Sequence, residues 1–240
     1  MALNFTNKTA RQHSGITALI YGPGGVGKTH FLSHLPGTTL LLDIDGGSRV
    51  LEDLPAFERI SVETIPRSLE SIPEITAYLD SEAFAFDNIA LDSATELYMA
   101  WLIKFGEAGK NNGVPSQGDY QTAQFKMRGF MRTLRDMRSR NINVVVTAGE
   151  MREVIEQCEG LAKSEVMPSM SRRIAPEICG LFDIVAHMEK SQKPATMGKR
   201  FFRMTPNGDM QAKDRIWNRP YCTAEGPDLI VPPTPTKDEE

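Results

Sequence analysis

Short apolar runs alternate with amphipathic stretches along most of the chain. Ile16 to Tyr21 is apolar almost throughout and stops at glycine, the mark of a strand buried on both faces of a parallel sheet. A helix is expected from Lys28 to about Leu35, halted by Pro36-Gly37. Thr39 to Asp43 reads as a second buried strand, closed by Gly46-Gly47. Leu69, Ile72, Ile75 and Leu79 fall at helical spacing, with Pro73 suited to a helix's first turn. Phe86 to Asp92 is a third strand, and Ser93 can cap a helix running toward Phe105. Gly106 to Gly118 has loop composition. A long helix over Tyr120 to Arg138 places Met127, Phe130, Met131, Leu134 and Met137 on one face, and Asn143 to Thr147 makes a fourth strand. Asp183 to Met188 and Arg200 to Met204 predict an antiparallel hairpin at a sheet edge. From Pro227 to Glu240 the chain is proline-rich and acidic, so one domain over residues 1–226 with a disordered tail at 227–240 is expected.

Strands alternating with helices define an α/β fold: a mainly parallel sheet flanked by helices, binding ligands at the carboxyl ends of its strands, with an antiparallel C-terminal edge hairpin. Composition narrows the class further. With 240 residues, 40% hydrophobic and 24% charged, the chain can build one full core. No run approaches the roughly 18 apolar residues of a membrane span, and Met1 to Gly15 lacks a secretory apolar segment. Cys158, Cys179 and Cys222 are widely spaced and read as reduced thiols, so a cytoplasmic location without membrane partners is expected. A net charge of −4 makes no global case for nucleic acid; any such surface must be local.

The chemistry begins at Gly22-Pro23-Gly24-Gly25-Val26-Gly27-Lys28-Thr29, a Gly-x4-Gly-Lys-Thr loop set directly between a strand and a helix. Glycines let successive N–H groups turn inward onto phosphate oxygens, and the helix end adds its positive dipole. Lys28 is placed to reach the β and γ phosphates and Thr29 to offer a hydroxyl to Mg²⁺, which predicts a site for ATP with magnesium. His30 adjoins the loop and is expected to line the site. Asp92 ends an apolar strand, as a carboxylate that supports magnesium should; its competing reading is a helix cap. At the next position AAA+ ATPases carry a glutamate that activates water, and this chain has Ser93. Asp43 and Asp45 alternate onto one side of the second strand's end and are candidates to replace it.

In order and spacing, the phosphate loop, Leu-Asp-x-Asp-Gly-Gly, Ala-Leu-Asp-Ser, Val-Val-Val-Thr-Ala-Gly-Glu, Phe-Asp-Ile-Val-Ala-His and Ala-Lys-Asp-Arg resemble the phage and prophage P-loop NTPases with a minimal RecA-like core. Some of those proteins are ATP-dependent single-strand annealing recombinases. The resemblance spans about Ile16 to Arg215 and implies a RecA-like P-loop fold. It places Asp45, one methylene shorter than the usual glutamate, as the water-activating base, with Asp43 its competitor. It makes Lys213 and Arg215 a pair that reaches a neighbouring subunit's γ-phosphate. It sets Thr147 and Glu150 near the γ-phosphate sensor, where an amide is more usual. It further implies single-stranded DNA as partner, self-association into a ring or filament, and contact with a single-strand binding protein.

Two regions are candidates for a DNA surface. On the long helix Arg128, Arg132 and Arg135 fall within about 60° of one another, near Lys126, Arg138 and Arg140; pairing with nearby acids such as Glu107 or Glu153 is the competing reading. Of the loops after the fourth and fifth strands, Met151 to Met170 is mixed in charge, whereas Ser191 to Lys199 is basic, flanked by Lys190 and Arg200. Neither interleaves aromatics as a base-stacking platform does. His187, in a strand, is expected to pack. Two other functions compete: a small-molecule kinase, which lacks a recognisable arginine lid here, and a nucleotide-gated loader that hydrolyses little. An Asn-Lys-x-Asp base-recognition motif is absent, which argues against a GTPase.

Overall fold

The computed structural model describes residues 15–158, 161–206 and 210–231. The first half alternates as the apolar pattern predicts. β1 (Thr17–Tyr21) leads through the phosphate loop into the short α1 (Lys28–Phe31), which tightens into a 3-10 turn over Leu32–His34. β2 (Thr39–Asp43) follows, then β3 (Ile60–Thr64), α2 (Ile72–Asp80), β4 (Asn88–Asp92), α3 (Ala94–Ala108), α4 (Gln117–Asp136) and β5 (Asn143–Ala148). Ser93 caps α3 as expected, accepting from the Glu96 N–H, and Ser116 with Asp119 forms a reciprocal capping box on α4. α3 runs to Ala108, so the expected loop begins later than Gly106.

The second half holds elements that the pattern did not disclose. Glu150–Cys158 and Leu161–Pro168 are β6 and β7, an antiparallel pair forming its own two-stranded sheet where a loop was expected. α5 (Ala175–Leu181) precedes β8 (Ile184–Lys190), β9 (Arg200–Arg203), β10 (Lys213–Asp214) and β11 (Tyr221–Thr223). Among the described residues nine strands join one sheet in the order β11-β9-β8-β1-β5-β4-β2-β3, with β10 also on β8. The six strands from β8 to β3 pair in parallel, and β9, β10 and β11 add antiparallel edges. This is the α/β fold anticipated, a mainly parallel sheet with an antiparallel C-terminal edge.

Strand alternation divides the core in two. Leu19, Leu42, Leu91 and Val146 face α3, α4 and α5, packing on Leu97, Trp101, Met127 and Phe130. Ile20, Leu41, Ala90 and Val145 face α1 and the C-terminal residues, meeting Phe31, Leu32 and Phe202. The expected tail starts later than Pro227: Pro227–Leu229 is a 3-10 turn, and Leu229 and Ile230 are buried in this second cluster. Apolar side chains there hold the chain to the domain, and residues 232–240 lie outside the described residues. Among the described residues no helix is long and apolar enough to cross a membrane.

Candidate functional site

The phosphate loop leaves β1 at the carboxyl end of the sheet, between β5 and β8. Gly25 (φ 70°) and Gly27 (φ 109°) adopt left-handed backbone that side-chain-bearing residues rarely take, so glycine is needed there for the curl. Lys28 spans the loop, its Nζ donating to the carbonyls of Gly22 and Pro23 at 2.9 Å each. Burial pulls the ammonium below its ordinary value, while Asp92, Glu150 and Asp45 pull it back up. The cation is thus held among acids at the spot where phosphate charge would replace them.

Thr29 and Asp92 come together as the sequence proposed: the Thr29 hydroxyl donates to Asp92 Oδ2 at 2.6 Å, and Thr147 donates to Oδ1. Asp92 is 2% exposed. Burial pushes its carboxyl above the usual range; the two threonine hydroxyls pull it back, and Asp45 and Asp43 push it further up. A crowded, raised carboxylate beside a hydroxyl is an environment that a hard divalent cation would relieve. Among the described residues no three His, Cys, Asp or Glu side chains cluster to cage a metal alone.

Asp43 and Asp45, grouped together by sequence, part company here. Asp43, buried at the end of β2, accepts from the N–H groups of Gly46 (2.8 Å) and Ser48 (3.1 Å) and so folds the turn. Asp45 is exposed on that turn and lines a cleft of about 480 Å³ with Gly24, Lys28, Thr29, His30 and Asp92. The turn is clipped to β4 by the Ile44 and Asp45 N–H groups, which both donate to the Asp92 carbonyl. Gly47 explains its own residue type: a Cβ there would lie 3.3 Å from both Thr29 Oγ1 and Asp92 Oδ2.

The other candidates are scattered. Glu150 opens β6 and bonds His187 Nε2 at 2.7 Å, while Glu189 takes His187 Nδ1 at 3.0 Å and also pairs with Arg203. His187 does pack, buried with its ring 5.0 Å from that of Tyr21, but it also joins the two glutamates in a polar chain that reaches the surface at Glu150. Lys213 and Arg215 are not brought to this chain's own loop. Lys213 is in register with Val185, which pairs with Leu19 at the middle of β1, and Arg215 donates to the Gly180 carbonyl. Burial and the neighbouring Arg215 push Lys213 down to about 8. Part of the long-helix basic stripe is engaged within the chain: Arg128 pairs with Glu177, Arg135 with Asp136 and Arg138 with Asp183, and Arg140 donates to the Leu79 and Ser81 carbonyls, while Lys126 and Arg132 are exposed. The partners of these arginines are Glu177, Asp136 and Asp183 rather than Glu107 or Glu153, and Glu153 pairs with Arg172.

Sequence reasoning missed four contributors to the site. Thr95 and Gly149 line the cleft, joined by a Gly149 N–H to Thr95 Oγ1 bond of 2.9 Å. Lys190 and Arg200, read as DNA-facing, turn instead onto the phosphate loop: Lys190 Nζ donates to the Gly25 carbonyl at 3.2 Å, and Arg200 lies against Gly27 and His30. A lone basic residue carries no signal of which neighbour it meets across a hairpin.

A family model described as an AAA domain matches residues 14–216 of this chain. The chain belongs to that family. Ser93, at the position expected to differ from the glutamate of AAA+ ATPases, caps α3. Among solved structures, the RadB recombinase is 18% identical, with a TM-score of 0.47, covering 82% of this chain and 85% of that one. The flagellar accessory protein FlaH from Methanocaldococcus jannaschii is 10% identical, with a TM-score of 0.45, covering 87% and 84%. A comparison with curated proteins gave no match.

Proposed function

We propose that this AAA domain binds and hydrolyses ATP with Mg²⁺, binds single-stranded DNA and promotes strand annealing, as the phage recombinases it resembles do. The observation that carries the reading is the convergence of Lys28, Thr29, Asp92 and Asp45 on one cleft at the strand ends. The loop N–H groups and Lys28 bind the phosphates. Thr29 offers its hydroxyl and Asp92 its carboxylate to Mg²⁺, which neutralises charge on the terminal phosphates when bound. Thr147 holds Asp92 in place from the sheet side. Asp45, whose side chain forms no hydrogen bond among the described residues, orients and deprotonates water. Lys213 and Arg215, remote from their own loop, act on a neighbour's phosphates, which makes the active form a ring or filament.

The DNA part of this reading is supported by the β8–β9–β11 edge. Phe201 and Tyr221, twenty positions apart, are brought together by antiparallel pairing, with ring centroids 5.9 Å apart. Lys193 and Lys199 join them around a cleft of about 720 Å³. Stacking of a base on such a ring contributes about 1–3 kcal/mol, and the lysines meet the backbone phosphates. This chain's function in a host cytoplasm, with a single-strand binding protein as a further partner, follows from the same reading. The test is ATP turnover with and without single-stranded DNA, alongside solution size with and without nucleotide. DNA-stimulated turnover and nucleotide-dependent assembly are expected. Absence of DNA binding at modest salt overturns the DNA role, and nucleotide-dependent assembly without turnover would favour a nucleotide-gated loader.

A further inference from the structure

We propose that Arg200 is a nucleotide-binding residue in cis, holding a non-terminal phosphate of a nucleoside polyphosphate; this rests on the ATP-binding reading above. Its backbone is fixed first. The Arg200 N–H donates to Glu225 Oε1 at 3.0 Å, its carbonyl accepts from Ala224, and it pairs across the hairpin with Lys190. The side chain then runs to the phosphate loop. A Cβ on Gly27 would lie 2.9 Å from Arg200 Nε, so the missing side chain of Gly27 is the seat of the guanidinium. NH1 is 3.5 Å from His30 Nδ1, and Lys190 reinforces the approach through the Gly25 carbonyl.

Charge pairing distinguishes Arg200 from its neighbours. Arg128, Arg138, Arg203 and Arg219 each meet a carboxylate within 3.0 Å. Among the described residues no carboxylate forms an ion pair with the Arg200 guanidinium, and nearby Glu189 is engaged by His187 and Arg203. A half-buried guanidinium against backbone and an imidazole lacks the anion that its planar fork of donors fits, and a phosphate supplies one.

Position selects which phosphate. Thr29, Asp92 and Asp45 line one cleft, on the metal side of the loop. Arg200 lines the adjoining cleft with Lys190, and Gly27, against which it lies, borders the first. An arginine that lines a different cleft from the metal carboxylates serves the phosphates that ATP and ADP share.

Titration of the full chain with methylanthraniloyl-labelled ATP and ADP tests this. Arg200→Ala should raise Kd about tenfold to a hundredfold for both nucleotides, the loss of one charge-assisted contact. Arg200→Lys should recover part of the affinity, and Lys110→Ala, on an exposed loop, should match the wild type. Thermal unfolding of each variant reports the fold, and Arg200→Lys carries the test if the alanine variant unfolds. Wild-type affinity in the alanine variant overturns the proposal, as does a loss confined to ATP. Failure of the wild-type chain to bind either nucleotide is a different result, and removes the ATP-binding reading with it.

Discussion

Replacing Asp43 by alanine should loosen the turn that carries Asp45 without adding anything to the cleft. Two backbone donors, Gly46 and Ser48, lose their acceptor. Hydrogen bonds to a charged group are worth about 1.5–3 kcal/mol each, which sets a ceiling near 3–6 kcal/mol. Three effects offset it. A buried carboxylate no longer has to be desolvated, Asp92 loses a like charge beside it, and Gly46, being exposed, regains water. A net loss of about 2 kcal/mol remains, which for a chain of this size lowers the unfolding midpoint by roughly 4–8 °C. Asp45→Asn is the complementary change: an exposed side chain without hydrogen bonds among the described residues should leave the midpoint unchanged. Turnover should nevertheless fall by about a hundredfold or more, the usual yield of a general base. Calorimetry and a phosphate-release assay on the two variants read both quantities. Wild-type turnover in Asp45→Asn removes Asp45 from the mechanism. An Asp43→Ala chain that unfolds at the wild-type temperature yet cannot turn over ATP would reverse the two roles.

Two further outcomes follow from the packing. Phe202→Ala removes a fully buried ring set edge-on to Phe31 at 4.8 Å, and should cost about 3–5 kcal/mol in urea unfolding, because the hairpin then leaves a cavity over α1; a loss under about 1 kcal/mol would mean that β9 is not anchored there. Asp214 is pushed up by burial, but N–H donors from Trp217 and Ile216 and the Arg219 guanidinium more than offset this and hold its carboxyl below 3.8. A depressed folded value gives stability that is present above the unfolded value and lost as pH falls through the folded one. Asp214→Asn should therefore be clearly less stable than wild type at neutral pH, with the gap narrowing below about pH 4; a gap of constant size down to about pH 2 would show that charge plays no part.

Local signals made the nucleotide half of the molecule legible. β1, β2, β4 and β5 are continuous apolar runs because both their faces are covered, and Gly-Lys-Thr, Ala-Leu-Asp and Leu-Asp-x-Asp each sit where such a run ends. What escaped reading depends on pairing at a distance. β6 and β7 mix charged with apolar residues and form a separate two-stranded sheet outside the main one, so neither reads as a continuous apolar run. The fates of Arg128 and Arg138 were set by Glu177 and Asp183, each more than forty positions away. The Phe201–Tyr221 pair and the Arg200–Gly27 contact exist only once β9 is laid against β8 and β11.

β8 has a mechanical consequence beyond its place in the sheet. Its first residues hold β10 and hence Lys213, and its last residue, Lys190, reaches the Gly25 carbonyl. Both long edges are laddered, to β1 on one side and β9 on the other, so the strand can translate or tilt but has little freedom to stretch. In an assembly where Lys213 touches the next subunit's nucleotide, β8 is then a push-rod about twenty ångströms long. Hydrolysis at one end would displace the cation serving the other, so neighbouring sites would fire in sequence rather than independently.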